Sequence, residues 1–323
     1  MSANSVTGMS IGLRGVAGVL APRQLSLEEL ASAGRLVSSP QRLRGLGFSH
    51  VHVADAEHDL RWLARQAARG ALAAALVRPD EIDVLIWASA LAADHLVAAD
   101  DPEATLNGFR YPSGWLQDEM QLDRAQVLAV AQQGCASLFA ALDVARAMLL
   151  ADAAKQHVLC IGVDVLPPDA PREILYNVIS DAACGVVVSR DSPRDRWRAY
   201  YQLSKGYYWD TPRMQKEILA AYFPTAKVVI DELLARASLR PNDIALVIPS
   251  GVQPGSWQIL LDLVGIPPDR LYRPEACFGH SIVADNLILL TEARQRQKLT
   301  AGDRILLFTY GFGSSWCCLL LEH

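Results

Sequence analysis

The 323-residue chain has little of what marks the specialised protein classes. Cysteine is sparse: six thiols, at positions 135, 160, 184, 277, 317 and 318, lie in apolar surroundings without CxxC or CxxH spacing. That pattern fits neither a disulfide framework nor a zinc site, and apart from Cys135 it reads as reduced, buried, small hydrophobes. Basic excess is lacking, with 30 Lys and Arg against 35 Asp and Glu, a formal charge of -5 and a pI near 5.8. No positive field is left to grip a phosphate backbone, so nucleic acid is not the expected partner. No long apolar run stands uninterrupted: the strongest, 136–154, is broken by Asp143, Arg146 and Asp152. The first fifteen residues lack the charged-then-apolar order of a secretory leader. A cytoplasmic protein with no membrane span is therefore expected, and Leu321-Glu322-His323 reads like the remnant of an expression tag.

What the chain does have is apolar content, 51% against 20% charged, enough for a large core. Its length allows two domains or one duplicated one. Internal similarity favours duplication. Arg78-Pro79-Asp80-Glu81-Ile82-Asp83-Val84-Leu85-Ile86 parallels Arg240-Pro241-Asn242-Asp243-Ile244-Ala245-Leu246-Val247-Ile248, each after an amphipathic helix and before a buried strand. Gly134-Cys135 opens a helix leading into a strand at 157–162, and Gly279-His280 opens another, ending near Leu299, before a strand at 304–308. Segment 180–188 matches 311–320 as turn into strand. Three matches in one order predict an α/β fold of two equivalent halves, 1–190 and 191–323, with sheets covered on both faces.

Cys135 and His280 then occupy equivalent starts of two central helices, related by a pseudo-twofold axis that brings them together. A cysteine at a helix N-terminus meets unpaired N–H groups that favour the thiolate and an oxyanion beside it. Read singly, Cys135 suits a structural role and His280 a core one; paired, they suit a nucleophile and a base. Asp285 is a poor interior helix residue and costly to bury alone. Five residues round a helix set it about 140° from His280, so the two meet only if His280 lies at the helix mouth. A carboxylate there would fix the imidazole tautomer. The loop Gly311-Phe312-Gly313-Ser314-Ser315-Trp316 is either a tight turn or a second source of N–H groups. It is no phosphate loop, since no Lys follows and a strand comes next.

Together, Gln132-Gln133-Gly134-Cys135-Ala136-Ser137, segment 180–188, Phe278-Gly279-His280 and the 311–316 loop resemble the ketosynthase III family. The resemblance runs from about residue 10 to the end. It implies the thiolase fold, a duplicated αβαβα layered sandwich, and a homodimer. It also implies acyl transfer onto Cys135 from coenzyme A or a phosphopantetheinyl acyl carrier protein, with no tightly bound cofactor and no metal. The backbone N–H groups of Cys135 and Phe312 would form the oxyanion hole.

Two positions depart from the condensing members. Ser250, in Ile248-Pro249-Ser250-Gly251-Val252-Gln253-Pro254, stands where they carry a His, and His280 stands where they carry an Asn. Gly279-His280 with Asp285 resembles instead a divergent acyltransferase branch, often in natural-product pathways. There the acyl group passes to a small-molecule oxygen, nitrogen or sulfur nucleophile. His280 would deprotonate the acceptor and Asp285 would orient the imidazole. Ser250 and Tyr207 are the expected substrate contacts, Tyr207 because Tyr207-Tyr208-Trp209 and Met214 fall where the family lines its acyl tunnel. Asp94-His95 would reach a pocket or face solvent, and Arg35, Arg42 and Arg44 would receive a carrier protein or simply lie on the surface. A carbon–carbon bond-forming ketosynthase with an atypical site is the alternative enzyme. A non-catalytic ketosynthase-like subunit is the alternative without chemistry.

Overall fold

The computed structural model describes residues 10–91, 110–175, 177–275, 277–296 and 299–323. Asp94 and His95 lie outside them. The first half begins with β1 (Gly12–Leu20), β2 (Arg23–Ser26), α1 (Leu27–Ser32), α2 (Pro40–Gly45), β3 (His50–Val53), α3 (Leu60–Ala75) and β4 (Val84–Ala88). It continues through α4 (Pro112–Glu119), β5 (Gln126–Val130), α5 (Ser137–Ala151), β6 (His157–Asp164), β7 (Glu173–Ile174), β8 (Asn177–Val178) and β9 (Ala182–Ser189). The second half has β10 (Arg196–Ser204), α6 (Gln215–Arg236), β11 (Leu246–Ile248), α7 (Pro254–Val264), α8 (Asp285–Gln295), β12 (Arg304–Gly311) and β13 (Ser315–Glu322).

The strands run in the order β11-β12-β13-β10-β1-β9-β6-β4-β5. In the first half β5, β4 and β6 are parallel, and β9 and β1 add antiparallel. The second half repeats this: β11 and β12 are parallel, β13 and β10 antiparallel, and a parallel bridge from Val247 to Leu271 takes the place of β5. The halves join where Gly12 of β1 meets Arg196 of β10. The repeated Arg-Pro turns show the duplication in detail. The Arg78 N–H donates to Glu81 and the Arg240 N–H to Asp243, both at 2.8 Å, so each closes a 3₁₀ turn just ahead of its strand.

Apolar side chains on both faces of the strands call for helices above and below. One apolar cluster lies between α3, α4 and the first half's strands. A second lies between α6, α7 and the second half's strands. The third, holding α5, α8 and residues from the strands of both halves, forms the middle of the sandwich. This is the layered α/β arrangement of two matching halves that the duplication predicts, and it agrees with the thiolase fold that the resemblance implies. The window Gly134–Ala151 has the length and composition to cross a membrane, nearer that limit than the sequence suggests. Its apolar residues, including Leu138, Phe139, Leu142 and Leu149, are buried in the central layer.

Two expectations need correction. The second central helix starts at Asp285, not at His280, because Gly279 (φ 80°) and Ile282 (φ 54°) take left-handed conformations that no helix continues, and it ends at Gln295. Leu321 and Glu322 are not an appendage. They complete β13, where Glu322 pairs with Arg196 and Arg198, and the His323 imidazole meets the buried Asp195 at 2.7 Å.

Candidate active site

The centre of the molecule brings together two segments 145 residues apart. Gly134–Ala136 forms a 3₁₀ turn that leads into α5 and carries Cys135 at its middle. Gly134 has φ 53°, and a Cβ there would stand 2.3 Å from the Phe312 nitrogen. The Gly134 backbone thus lies directly against that of Phe312, an approach that only glycine at 134 permits.

His280 arrives from the other half and is clamped by the first. Its N–H donates to the Val178 carbonyl at 2.7 Å, and its own carbonyl accepts from the Ser180 N–H at 2.9 Å. A Cβ on Gly279 would collide with the Val178 carbonyl at 2.5 Å, so the approach again requires glycine. The clamp sets His280 Nε2 3.2 Å from Cys135 Sγ. On the opposite ring edge Nδ1 hydrogen-bonds with Asp285, which makes Nε2 the nitrogen facing sulfur.

Asp285 is fully buried and fully satisfied. Besides the imidazole, it accepts from the Gly251 N–H, the Ser281 N–H and the Ser281 hydroxyl, each at 2.6 Å. The next residue, Asn286, donates to the carbonyls of Ile248 and Phe308, tying the helix start to β11 and β12. Burial disfavours the imidazolium of His280, but the Asp285 carboxylate and the Cys135 sulfur outweigh it and hold its pKa well above the ordinary histidine value. Burial likewise works against the Asp285 carboxylate, and His280 with the Ser281 donors holds its pKa below the usual range.

Cys135 and His280 open onto a cavity of about 470 Å³. Its walls are mostly apolar, with the rings of Tyr222, Phe223, Tyr310 and Phe312, and no Lys, Arg, Asp or Glu lines it among the described residues. Ser250 is in the wall, its carbonyl held by the Trp257 indole at 3.1 Å. Asp164 fixes another part, accepting from the Ser89 hydroxyl and the N–H groups of Ala90 and Leu91 at 2.7 to 3.0 Å. All six cysteines are free. Burial pushes the thiols of Cys160, Cys184, Cys277, Cys317 and Cys318 up, and of the six cysteines Cys135 is the one that lines the cavity. Among the described residues no group of three or more His, Cys, Asp or Glu could hold a metal ion.

Tyr207 is not in this cavity. It is 72% exposed on a 3₁₀ turn, with its ring against Tyr208, while Trp209 also faces out. The turn is held on the outside by the Lys205 N–H bonding to Ser314, and the pocket aromatics come from α6 and the end of β12 instead. Tyr222, Tyr310 and Ile282 carry no mark in the sequence that separates them from core residues. Ser281 had one, since a hydroxyl four residues before a buried Asp is a ready partner. Of the three arginines, Arg35 donates to the Ala170 carbonyl and Arg44 pairs with Glu28.

The profile of 3-oxoacyl-[acyl-carrier-protein] synthase III matches residues 131–206, and that of its C-terminal part matches 234–323. Among relatives, beta-ketoacyl-[acyl-carrier-protein] synthase III of Aquifex aeolicus is 27% identical over 83% of this chain and 85% of its own. The Rhodobacter capsulatus synthase III is 26% identical over 96% and 98%. The solved Aquifex aeolicus synthase III superposes with a TM-score of 0.82, covering 98% of this chain and all of that one at 22% identity. ChlB3, described as an acyltransferase, also reaches 0.82, at 18% identity and 97% coverage of both chains. OleA of Xanthomonas campestris, with bound lauric acid and lauroyl-CoA, reaches 0.79 at 18% identity, covering 97% and 99%. The two matched profiles span half the chain between them, and the chain belongs to the ketosynthase III family.

Proposed function

We propose that this protein is an acyltransferase that carries its acyl group on Cys135 and passes it to an oxygen, nitrogen or sulfur nucleophile. The observation that carries this reading is the hydrogen-bonded line from Cys135 Sγ through the His280 imidazole to Asp285. In loading, the Cys135 proton goes to His280 Nε2 while sulfur attacks the thioester carbonyl. The carbonyl oxygen takes the charge beside the N–H groups of Cys135 and Phe312, and the donor thiol leaves with the proton from Nε2. In transfer, Nε2 takes the proton of the acceptor as it attacks the acyl-Cys135 carbonyl, and Cys135 leaves and recovers that proton. Asp285 holds the imidazole and offsets its charge in both steps. Acylation ties up the Cys135 sulfur, one of the two groups that raise the His280 pKa, which favours the neutral base just when the acceptor needs one.

Ser250 contacts the acceptor in this scheme. The donor is a coenzyme A or carrier-protein thioester, and the setting is a natural-product pathway in the cytoplasm. The halves divide at 190/191. A homodimer is supported by β5, whose outer edge is unpaired among the described residues, and by Val144 and Leu150 exposed on the adjoining α5.

The names of the synthase III relatives favour a second reading, carbon–carbon bond formation. Against it, Ser250 stands where the condensing members carry a His, and a serine hydroxyl has no cationic form and is a weaker donor to an enolate. The deciding experiment is intact-protein mass after incubation with acyl-coenzyme A thioesters, then with alcohols, amines, thiols or malonyl-coenzyme A. The expected result is an adduct, absent in Cys135→Ala, that a heteroatom acceptor discharges and malonyl-coenzyme A does not. Discharge into a 3-oxoacyl product would establish the second reading, and no adduct from any donor would remove both.

A further inference from the structure

Among the described residues that line the cavity, one side chain carries a buried polar atom with no hydrogen-bond partner: the phenol oxygen of Tyr310. Leaving such a group unpaired is costly, and native proteins seldom do so without a reason. Packing does not supply the reason. The Tyr310 ring is held by Trp316, Tyr222 and Phe312, with centroids 4.7, 5.5 and 6.1 Å away, and phenylalanine would make the same ring contacts. The Ser314 hydroxyl is close enough to ease the ionisation of Tyr310. It donates instead to the Tyr208 carbonyl, at 3.4 Å, and forms no hydrogen bond with the phenol.

Burial, with the negative charge of a Cys135 thiolate, raises the Tyr310 pKa, so the phenol stays protonated and is a donor. That Cys135 acts on it at all sets the hydroxyl near the sulfur, and Tyr222 feels the same charge. The two sides of the sulfur differ. His280 comes from the segment clamped by Val178 and Ser180, whereas the phenols come from α6 and the end of β12. An attacking acceptor must lie against Nε2, which leaves the phenol side to the group that the sulfur carries. We propose that Tyr310 is a specificity-determining residue: its hydroxyl donates a hydrogen bond to an oxygen substituent on the second or third carbon of the acyl group, so that Cys135 takes hydroxyacyl or oxoacyl thioesters in preference to plain ones. This rests on the acyl-Cys135 reading.

The test is competitive loading of Cys135 from butanoyl-coenzyme A mixed in turn with its 2-hydroxy, 3-hydroxy and 3-oxo counterparts, read by intact-protein mass. Wild type should favour at least one oxygenated member about tenfold, because a plain chain displaces water from the hydroxyl and returns no hydrogen bond. Tyr310→Phe keeps the ring and removes only the donor. It should abolish the preference by slowing the oxygenated member, while butanoyl loads no more slowly than before. Tyr222→Phe should keep the preference. Equal slowing of both donors in Tyr310→Phe would show a structural ring or a hydroxyl serving the thioester carbonyl, and would overturn the proposal. So would a preference that survives in Tyr310→Phe, one lost only in Tyr222→Phe, or a wild type that takes butanoyl as readily as every oxygenated member. Absence of any adduct on wild type is a different result, and it would remove the acyl-Cys135 reading as well.

Discussion

His280 and Asp285 are hydrogen-bonded across only five residues because the chain between them is not a helix. The left-handed Ile282 reverses its direction, and α8 begins at Asp285 itself. The carboxylate therefore sits at a helix N-terminus, where the helix dipole adds to the N–H donors that stabilise its charge.

Asp285→Asn should slow transfer far more than loading. Asparagine keeps the shape but gives up the charge that raises the His280 pKa, so burial prevails and that pKa falls. Transfer needs the neutral imidazole, and its acid limb should consequently move to lower pH in the variant. The rate at the optimum should drop by about 10²- to 10⁴-fold, the usual range for positioned general-base catalysis. Single-turnover transfer against pH measures both; an unmoved limb would take Asp285 out of the proton chemistry.

The same pair sets a pH dependence of stability. The folded pKa of His280 is raised, so its contribution is full below about pH 6.5, the unfolded value, and is lost as pH rises through the folded one. The folded pKa of Asp285 is lowered, so its contribution is present above about pH 3.9 and is lost as pH falls through the folded value. The melting-temperature gap between wild type and Asp285→Asn should be widest between these limits and narrow in alkali. Thermal denaturation across pH checks this.

Gly134→Ala should damage loading without removing the nucleophile. The added methyl would meet the Phe312 backbone at 2.3 Å and require a strained φ of 53°. The two N–H groups would be forced apart, and loss of one oxyanion donor costs about 10²- to 10³-fold. Stopped-flow acylation is the measurement, with thiol titration confirming that Cys135 is still present.

Much of this architecture was legible because duplication leaves two records of each element. The turns at Arg78 and Arg240 match in sequence because the same capping contact closes both. Symmetry pointed to a meeting of Cys135 and His280, which are in contact although His280 precedes its helix instead of opening it. The Asp285 contact did not, since periodicity assumes a regular helix and nothing marks an isoleucine as left-handed. Tyr207 misled for a related reason: an aromatic run signals burial, but the 3₁₀ turn at 206–208 points its first ring outward. The last three residues looked appended, yet they pair with Arg196, Arg198 and Asp195, partners more than a hundred positions away.

The strand that clamps His280 has its own anchor, and breaking it should affect both folding and loading. Arg172 and Asp181 form an ion pair at 2.5 Å, with side chains 0% and 1% exposed. Asp181 also accepts from the N–H groups of Ala54 and Leu166, and the Arg172 carbonyl accepts from the Ile179 N–H. Between them lie Val178 and Ser180, whose backbones fix His280. Asp181→Asn would leave a buried guanidinium without its counter-charge, at a cost of about 3–5 kcal/mol. Arg172→Met with Asp181→Leu removes both charges and should be less destabilised than either single change, because no uncompensated ion remains. Urea denaturation gives the stabilities. Adduct formation on the folded fraction gives the second reading: Asp181→Asn should load more slowly even where it is folded, since the clamp on His280 hangs from the same pair. Full loading by that variant would mean that the 178–180 segment holds the imidazole without help from the ion pair.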